Sequence, residues 1–115
     1  MKKVKLINLT PHNINLKVNG ETIVIEPAVS KSELPRLKET IKKLEDIEVN
    51  GYKVPITVKE FEEAYNIPEP KEGVYYIVSA LIAKALKRED FIVPNTVRDE
   101  SGNIVGCDGF SKILK

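Results

Sequence analysis

The chain is short of the residues that most often carry chemistry. Its 115 residues hold one cysteine and one histidine. A single cysteine excludes an internal disulfide and any multi-cysteine metal site. A single histidine excludes paired-histidine zinc motifs, so no metal and no cofactor is expected. Arginine is scarce too, with 3 beside 15 lysines, and glutamine is absent. Long hydrophobic runs are missing. The longest apolar stretch is about five residues, against roughly 20 needed to cross a bilayer. Met1-Lys2-Lys3 is basic, but Asn8 and Thr10 interrupt the apolar residues after it, so no signal-peptide core forms. Nor is there an excess of one charge. The formal net charge is +1, which gives no global pull onto nucleic acid or an acidic membrane. These absences imply a cytoplasmic protein with no nucleic-acid and no membrane partner.

What is present suits one globular domain, 1–115. Hydrophobic residues make 42% and charged residues 30%, ordinary proportions for a chain with one modest core. The Lys, Glu and Ile enrichment is thermophile-like, although an AT-rich genome gives the same bias. Residues 1–20 carry four lysines and no acid, whereas residues 21–72 carry twelve acids and eight bases.

Periodicity locates the elements. Lys3 to Leu9 reads as a strand broken by Thr10-Pro11. Ile14, Leu16 and Val18 alternate up to Asn19-Gly20, and Ile23 and Ile25 return, which predicts a hairpin over residues 13–26. Residues 33–49 support two readings. Leu34, Leu37, Ile41 and Leu44 have helical spacing, while Ile47 and Val49 alternate into Asn50-Gly51. Tyr52, Val54, Ile56 and Val58 alternate beyond it, which predicts a second hairpin near 46–58. Lys59 to Tyr65 reads as one or two helical turns. Val74 to Val78 reads as a buried strand, followed by a helix near residues 79–88. Phe91-Ile92-Val93 is a short strand stopped by Pro94. Thr96-Val97-Arg98 and Ile104-Val105-Gly106 flank a Gly-containing hairpin loop. The expected fold class is α+β, a mixed and mostly antiparallel sheet of hairpins with one main helix.

Few residues are candidates for chemistry. His12 comes just after a loop break, and imidazole titrates near neutrality, so it suits acid–base work. A turn histidine is the commoner role. Cys107 has no adjacent base and reads as a small buried residue. Ser79 opens the helix, where free amides could hold an anion, but an ordinary N-cap fits as well. Arg36, Arg88 and Arg98 have rigid forks for phosphate or carboxylate, which lysine lacks. Arg88 precedes Glu89 and Asp90, and Arg98 precedes Asp99, so ion pairing competes. Glu60, Glu62 and Glu63 read as a solvated acidic face. The tyrosines lack the interleaved bases of a nucleic-acid surface.

Several segments together resemble a known family. They are Asn8-Leu9-Thr10-Pro11-His12, Ile67-Pro68-Glu69-Pro70-Lys71-Glu72-Gly73-Val74-Tyr75-Tyr76-Ile77-Val78-Ser79, Arg88-Glu89-Asp90 with Pro94, and the run Arg98 to Gly106. The resemblance is to a family of small archaeal, bacterial and tailed-phage proteins with "NLTPH" and "LPxPxxGxxYIVS" segments. It spans nearly the whole chain and supplies positions rather than an activity. It implies an extended segment around Arg36, with a helix over 33–46 as the alternative. Matching positions include His12, Arg36, Ser79, Arg88, Asp90 and Arg98.

Three functional readings are open at this point. The first is a non-enzymatic binder of an anionic or phosphate-bearing small ligand, such as a nucleotide, held by those six residues. The second is a structural or protein-interaction module that forms a homo-oligomer. The third is a small hydrolase using His12.

Overall fold

A computed structural model describes residues 3–115. Strands account for 51% of the chain and its one helix for 9%, so the protein is α+β-like but mostly β. In chain order the elements are β1 (Lys5–Asn8), β2 (Ile14–Val18), β3 (Glu21–Ile25), β4 (Arg36–Lys43), β5 (Ile47–Val49), β6 (Tyr52–Val54), β7 (Thr57–Tyr65), β8 (Val74–Ile77), α1 (Ala80–Leu86), β9 (Phe91–Arg98) and β10 (Ile104–Ser111). They fall into two compact units. One runs up to Pro35 and resumes at Pro68–Lys115, and the other is Arg36–Ile67.

The first unit is a curled six-stranded sheet in the order β1-β8-β9-β10-β2-β3. The β2–β3 and β9–β10 hairpins are antiparallel. The pairs β1–β8, β8–β9 and β10–β2 are parallel. The sheet is mixed, as expected, but within it parallel seams outnumber antiparallel ones, three to two, so the expectation that it is mostly antiparallel is corrected for this sheet. Hairpins account for two of its seams, β1–β8 and β10–β2 join strands remote in sequence, and β8–β9 is a crossover between consecutive strands. Between β8 and β9, residues 78–90 supply about the dozen residues that a parallel crossover needs. The curl brings the ends of β1 and β3 together. Asn8 bridges Pro27 in parallel, and the Ala28 N–H donates to the Asn8 carbonyl at 2.8 Å.

Local chemistry explains the secure elements. Asn19 (φ 49°) and Gly20 (φ 78°) both hold positive φ, as a two-residue hairpin turn requires. Asn50 (φ 51°) and Gly51 (φ 83°) repeat the device between β5 and β6. Ser79 caps α1 by accepting from the Ile82 N–H at 3.3 Å, and Lys87 ends the helix in the left-handed region. The core sits on the central strands. Tyr76, Ile77, Val78, Phe91 and Ile92 are buried with Ile82 and Ala83 of α1. Each large apolar side chain among them contributes about 1.5–3 kcal/mol relative to exposure.

Two sequence expectations are overturned, and one choice between two readings is decided. First, Pro94 does not stop β9. It pairs with Phe110 of β10 inside the strand. β8 has already ended opposite Ile92, so β9 is an edge there on the β8 side, where proline is tolerated. Second, the extended segment expected around Arg36 is present as strand β4, Arg36–Lys43, and the alternative of a helix over 33–46 is excluded. Third, Lys59–Tyr65 is not helical. It belongs to β7, which takes Val58 from the predicted hairpin return and pairs with β4 along its length.

The second unit consists of the β4–β7 ribbon and the β5–β6 hairpin, each two-stranded. The Leu44 N–H donates to the Ile56 carbonyl at 2.9 Å, beyond the last β4–β7 pair. β7 carries one more residue than β4 between the pairs Leu37–Ala64 and Glu39–Phe61, a β-bulge. No residue of Arg36–Ile67 is buried. Lone two-stranded hairpins are marginal in water. This unit therefore has strand pairing without a core.

Candidate functional site

The recognisable polar motifs fold into three separate clusters, and each is satisfied internally. The first centres on Asn8, a fully buried polar residue with 0% exposure. Its Nδ2 donates to the carbonyls of His12 (2.8 Å) and Ile25 (2.9 Å). Its Oδ1 accepts from the Thr10 N–H at 2.9 Å and lies 2.7 Å from the Thr10 hydroxyl. That hydroxyl also reaches the His12 carbonyl at 3.1 Å. Asn8 thus ties the end of β1 to the loop before β2 and to β3. His12 takes part through its backbone carbonyl, and the residue itself is exposed. Its imidazole has no hydrogen bond among the described residues.

The second cluster surrounds Arg88. The guanidinium grips Asp90 with both arms, Nε to Oδ1 at 2.9 Å and Nη2 to Oδ2 at 2.6 Å. Nη1 donates to the Pro68 carbonyl at 2.7 Å. The same group lies 4.2 Å from the centroid of the buried Phe91 ring. Phe91 meets Tyr76 edge to face with centroids 6.1 Å apart. The Tyr76 hydroxyl donates to the Glu69 carbonyl at 2.9 Å. The Pro68–Pro70 loop is therefore pinned from two sides by its own chain.

The third cluster is the β9–β10 loop. Asp99 Oδ1 accepts from the N–H groups of Ser101 and Asn103, both at 2.9 Å. Arg98 Nη1 donates to the Gly102 carbonyl at 2.6 Å. The Asn103 N–H, aided by its side-chain amide and the Ser101 and Gly102 N–H groups, holds the Asp99 carboxyl below its ordinary pKa against a smaller opposing effect of desolvation. A depressed carboxyl stabilises its loop above the unfolded pKa and loses that contribution as pH falls through the folded one. An NMR titration should therefore show the Ser101 and Asn103 amide shifts moving below the pH range of a free aspartate. Movement at the ordinary aspartate pKa would contradict the loop geometry.

These positions do not all converge. Arg88 and Asp90 meet, just before β9 begins. Arg98 ends β9, and eight strand residues at ~3.3 Å each set it roughly 20 Å or more away. Ser79 lies beyond the end of β8, where its hydroxyl is used as the cap of α1. The amide of Ile82 is thereby taken by the chain itself. Arg36 opens β4 opposite Tyr65, in the other unit.

Two open cavities lie in the first unit, and neither is lined by arginine. One of about 280 Å³ lies between β2, β9 and β10, with Asn13, Asn15, Thr96, Ile104, Val105 and Cys107 in its wall. No charged residue lines it. Gly106 also lines it, at a point where the chain segments approach closely. A Cβ on Gly106, at φ +157°, would stand 2.7 Å from the Asn15 carbonyl oxygen. Burial pushes the Cys107 thiol pKa up, with Asp108 adding to the rise and the Gly109 N–H opposing it. That leaves the thiol protonated and unreactive near neutrality. The other cavity, about 380 Å³, is lined by Lys71 and Lys112 but also by Glu72, Glu89 and Asp90. Lys112 is already engaged by Glu89 at 3.1 Å and lies 5.1 Å from the Tyr75 ring centroid. Among the described residues no group of three or more His, Cys, Asp or Glu is placed to hold a metal ion. No described helix is long and apolar enough to cross a membrane.

The surface most in need of an explanation is the second unit, which sequence reasoning did not single out. Ile41 (64% exposed), Tyr52 (75%), Phe61, Tyr65, Leu44, Ile47 and Val49 are all exposed there. The β4–β7 register puts Ile41 and Phe61 on one face, with Glu39 and Lys59 between and beside them. The legible signal was composition. The segments 36–43 and 57–65 carry opposite net charge, which favours their adjacency, although the register sets no base of β4 directly opposite a glutamate of β7.

No family model matches the chain, and no curated protein and no solved structure matches it.

Proposed function

We propose that the protein is a non-enzymatic interaction module that self-associates through the Arg36–Ile67 unit. The observation that carries this reading is a pair of two-stranded ribbons with no buried residue and a row of exposed large apolar side chains. Contiguous exposed apolar surface marks interaction sites. A second copy would supply the cover that a two-stranded ribbon lacks.

This reading is favoured over an anion binder because two of the three arginine forks have partners within the chain. Arg88 is held by Asp90 and Pro68, and Arg98 by Gly102. A hydrolase using His12 has even less support, since neither cavity is lined by His12.

Light scattering across a concentration series tests the proposal. The wild type should show a mass that rises with concentration. The double variant Ile41→Lys with Phe61→Lys should weaken that association by about tenfold or more, because two buried apolar contacts become charged ones. A monomer at every concentration would refute self-association. A thermal-shift screen with nucleotides and inorganic phosphate forms the second arm. No stabilisation is expected, and stabilisation lost on Arg36→Lys or Arg98→Lys would restore the anion binder.

A further inference from the structure

The strand charges point to how copies join. β4 carries Arg36, Lys38, Lys42 and Lys43 against one acid, Glu39. β7 carries Glu60, Glu62 and Glu63 against one base, Lys59. The two exceptions pair with each other, Lys59 Nζ to Glu39 Oε1 at 3.5 Å. Lys43 pairs locally with Asp46 at 3.8 Å. Arg36, Lys38 and Lys42 on one strand, and Glu60, Glu62 and Glu63 on the other, make no ion pair among the described residues. Each strand has one strand neighbour, so each also has one edge without a strand partner among the described residues.

An edge strand's unpaired amides and carbonyls template addition of another strand. Which strand adds is decided by cross-strand side-chain pairs, and like charges directly opposite are unfavourable. Pairing β4 with β4 of a second copy would set lysines against lysines. Pairing β7 with β7 would set glutamates against glutamates. Within the ribbon the register sets no base of β4 directly opposite a glutamate of β7, so these charges are not used up there, and only β4 against β7 of another copy brings strands of opposite net charge together.

Resting on the self-association reading, we infer that copies join head to tail. The basic β4 edge of one pairs antiparallel with the acidic β7 edge of the next. The contact is heterologous, so it builds a ring or an open array rather than a two-fold dimer. The continued sheet would also bring successive Ile41 and Phe61 faces into one apolar stripe.

A charge-swapped chain tests this. Lys38→Glu and Lys42→Glu together with Glu60→Lys and Glu62→Lys reverse both strands yet keep the ribbon's own complementarity and the net charge. Swapped β4 now meets wild-type β7 with like charges. Wild type and swapped chains, mass-labelled and mixed, should each assemble with their own kind. Native mass spectrometry should show mixed species depleted about tenfold or more below the statistical share. Free mixing would overturn the head-to-tail seam while leaving self-association intact. A wild-type monomer at all concentrations would overturn both. If the swapped chain does not fold by circular dichroism, wild-type sedimentation decides. Association should weaken at least tenfold between low salt and about 1 M salt, and association that is unchanged or tightened by salt would overturn the seam.

Discussion

Replacing Asn8 with alanine is expected to cost about 3 kcal/mol of the first unit's stability. The side chain is fully buried and bonded at both ends. Truncation leaves the Thr10 N–H without its acceptor and removes one donor from the Ile25 carbonyl, which keeps its place in the β2–β3 ladder opposite Ile14. The His12 carbonyl keeps the Thr10 hydroxyl as an alternative donor. Four lost contacts of a buried side chain at about 0.5–1.5 kcal/mol each set the scale. Against a typical total of about 5–15 kcal/mol, that is a large fraction. The midpoint of thermal unfolding should fall by roughly 15 °C. Asn8→Leu should not rescue it, because the Thr10 N–H stays without an acceptor. Asn8→Asp separates hydrogen bonding from shape. The carboxylate would face two carbonyls with no proton to donate, so the variant should be less stable than Asn8→Ala near neutrality. Burial raises such a carboxyl's folded pKa above its unfolded one. Its stability should then recover as pH falls through the folded value, in urea titrations at stepped pH. An Asn8→Ala variant within about 0.5 kcal/mol of wild type would contradict the network, that being the range of ordinary surface substitutions.

Asn8 also shows what the sequence could and could not reveal. Both Asn-Gly hairpins were readable, because positive φ at two successive positions is a local demand that few residues meet. The helix after Ser79 was readable for the same local reasons, a cap and good helix formers. The β4–β7 ribbon was not. Its residues are Lys, Glu and Leu at near-helical spacing, and it exists through pairing across some twenty positions of chain. Non-local pairing overrode local propensity there. Pro94 misled for a related reason, since a proline's tolerance in a strand depends on whether its neighbour has already ended.

The candidate site obeys the same logic. The arginines were expected to have geometric work, and Arg88 and Arg98 do. Their targets are a carboxylate and backbone carbonyls of their own chain. Residue type reveals that a fork is needed but not what it grips. The ribbon's self-complementary charges lay open in the sequence, yet they gain meaning only once 36–43 and 57–65 are known to be adjacent strands.

Arg88→Lys is the substitution that separates these roles most sharply. It keeps the positive charge and loses the fork. A lysine ammonium cannot span both Asp90 oxygens and the Pro68 carbonyl together, nor lie flat over Phe91. The expected loss is about 2–3 kcal/mol, and Arg88→Ala should cost about 3–5 kcal/mol by leaving Asp90 uncompensated. The side chains of Arg88 and Asp90 are only 21% and 16% exposed, so solvent screens the pair little. Adding Asp90→Asn to Arg88→Ala should recover part of the loss, and the cycle should yield a coupling of about 2 kcal/mol. The loss should appear in urea unfolding while the association measured by light scattering stays at its wild-type value, since the cluster lies outside the Arg36–Ile67 unit. A phosphate could use this arginine only by displacing Asp90. If Arg88→Lys were as stable as wild type, the carboxylate grip would carry little energy. The fork would then be free for an external anion, and an anion-binding role would be favoured over an interaction module.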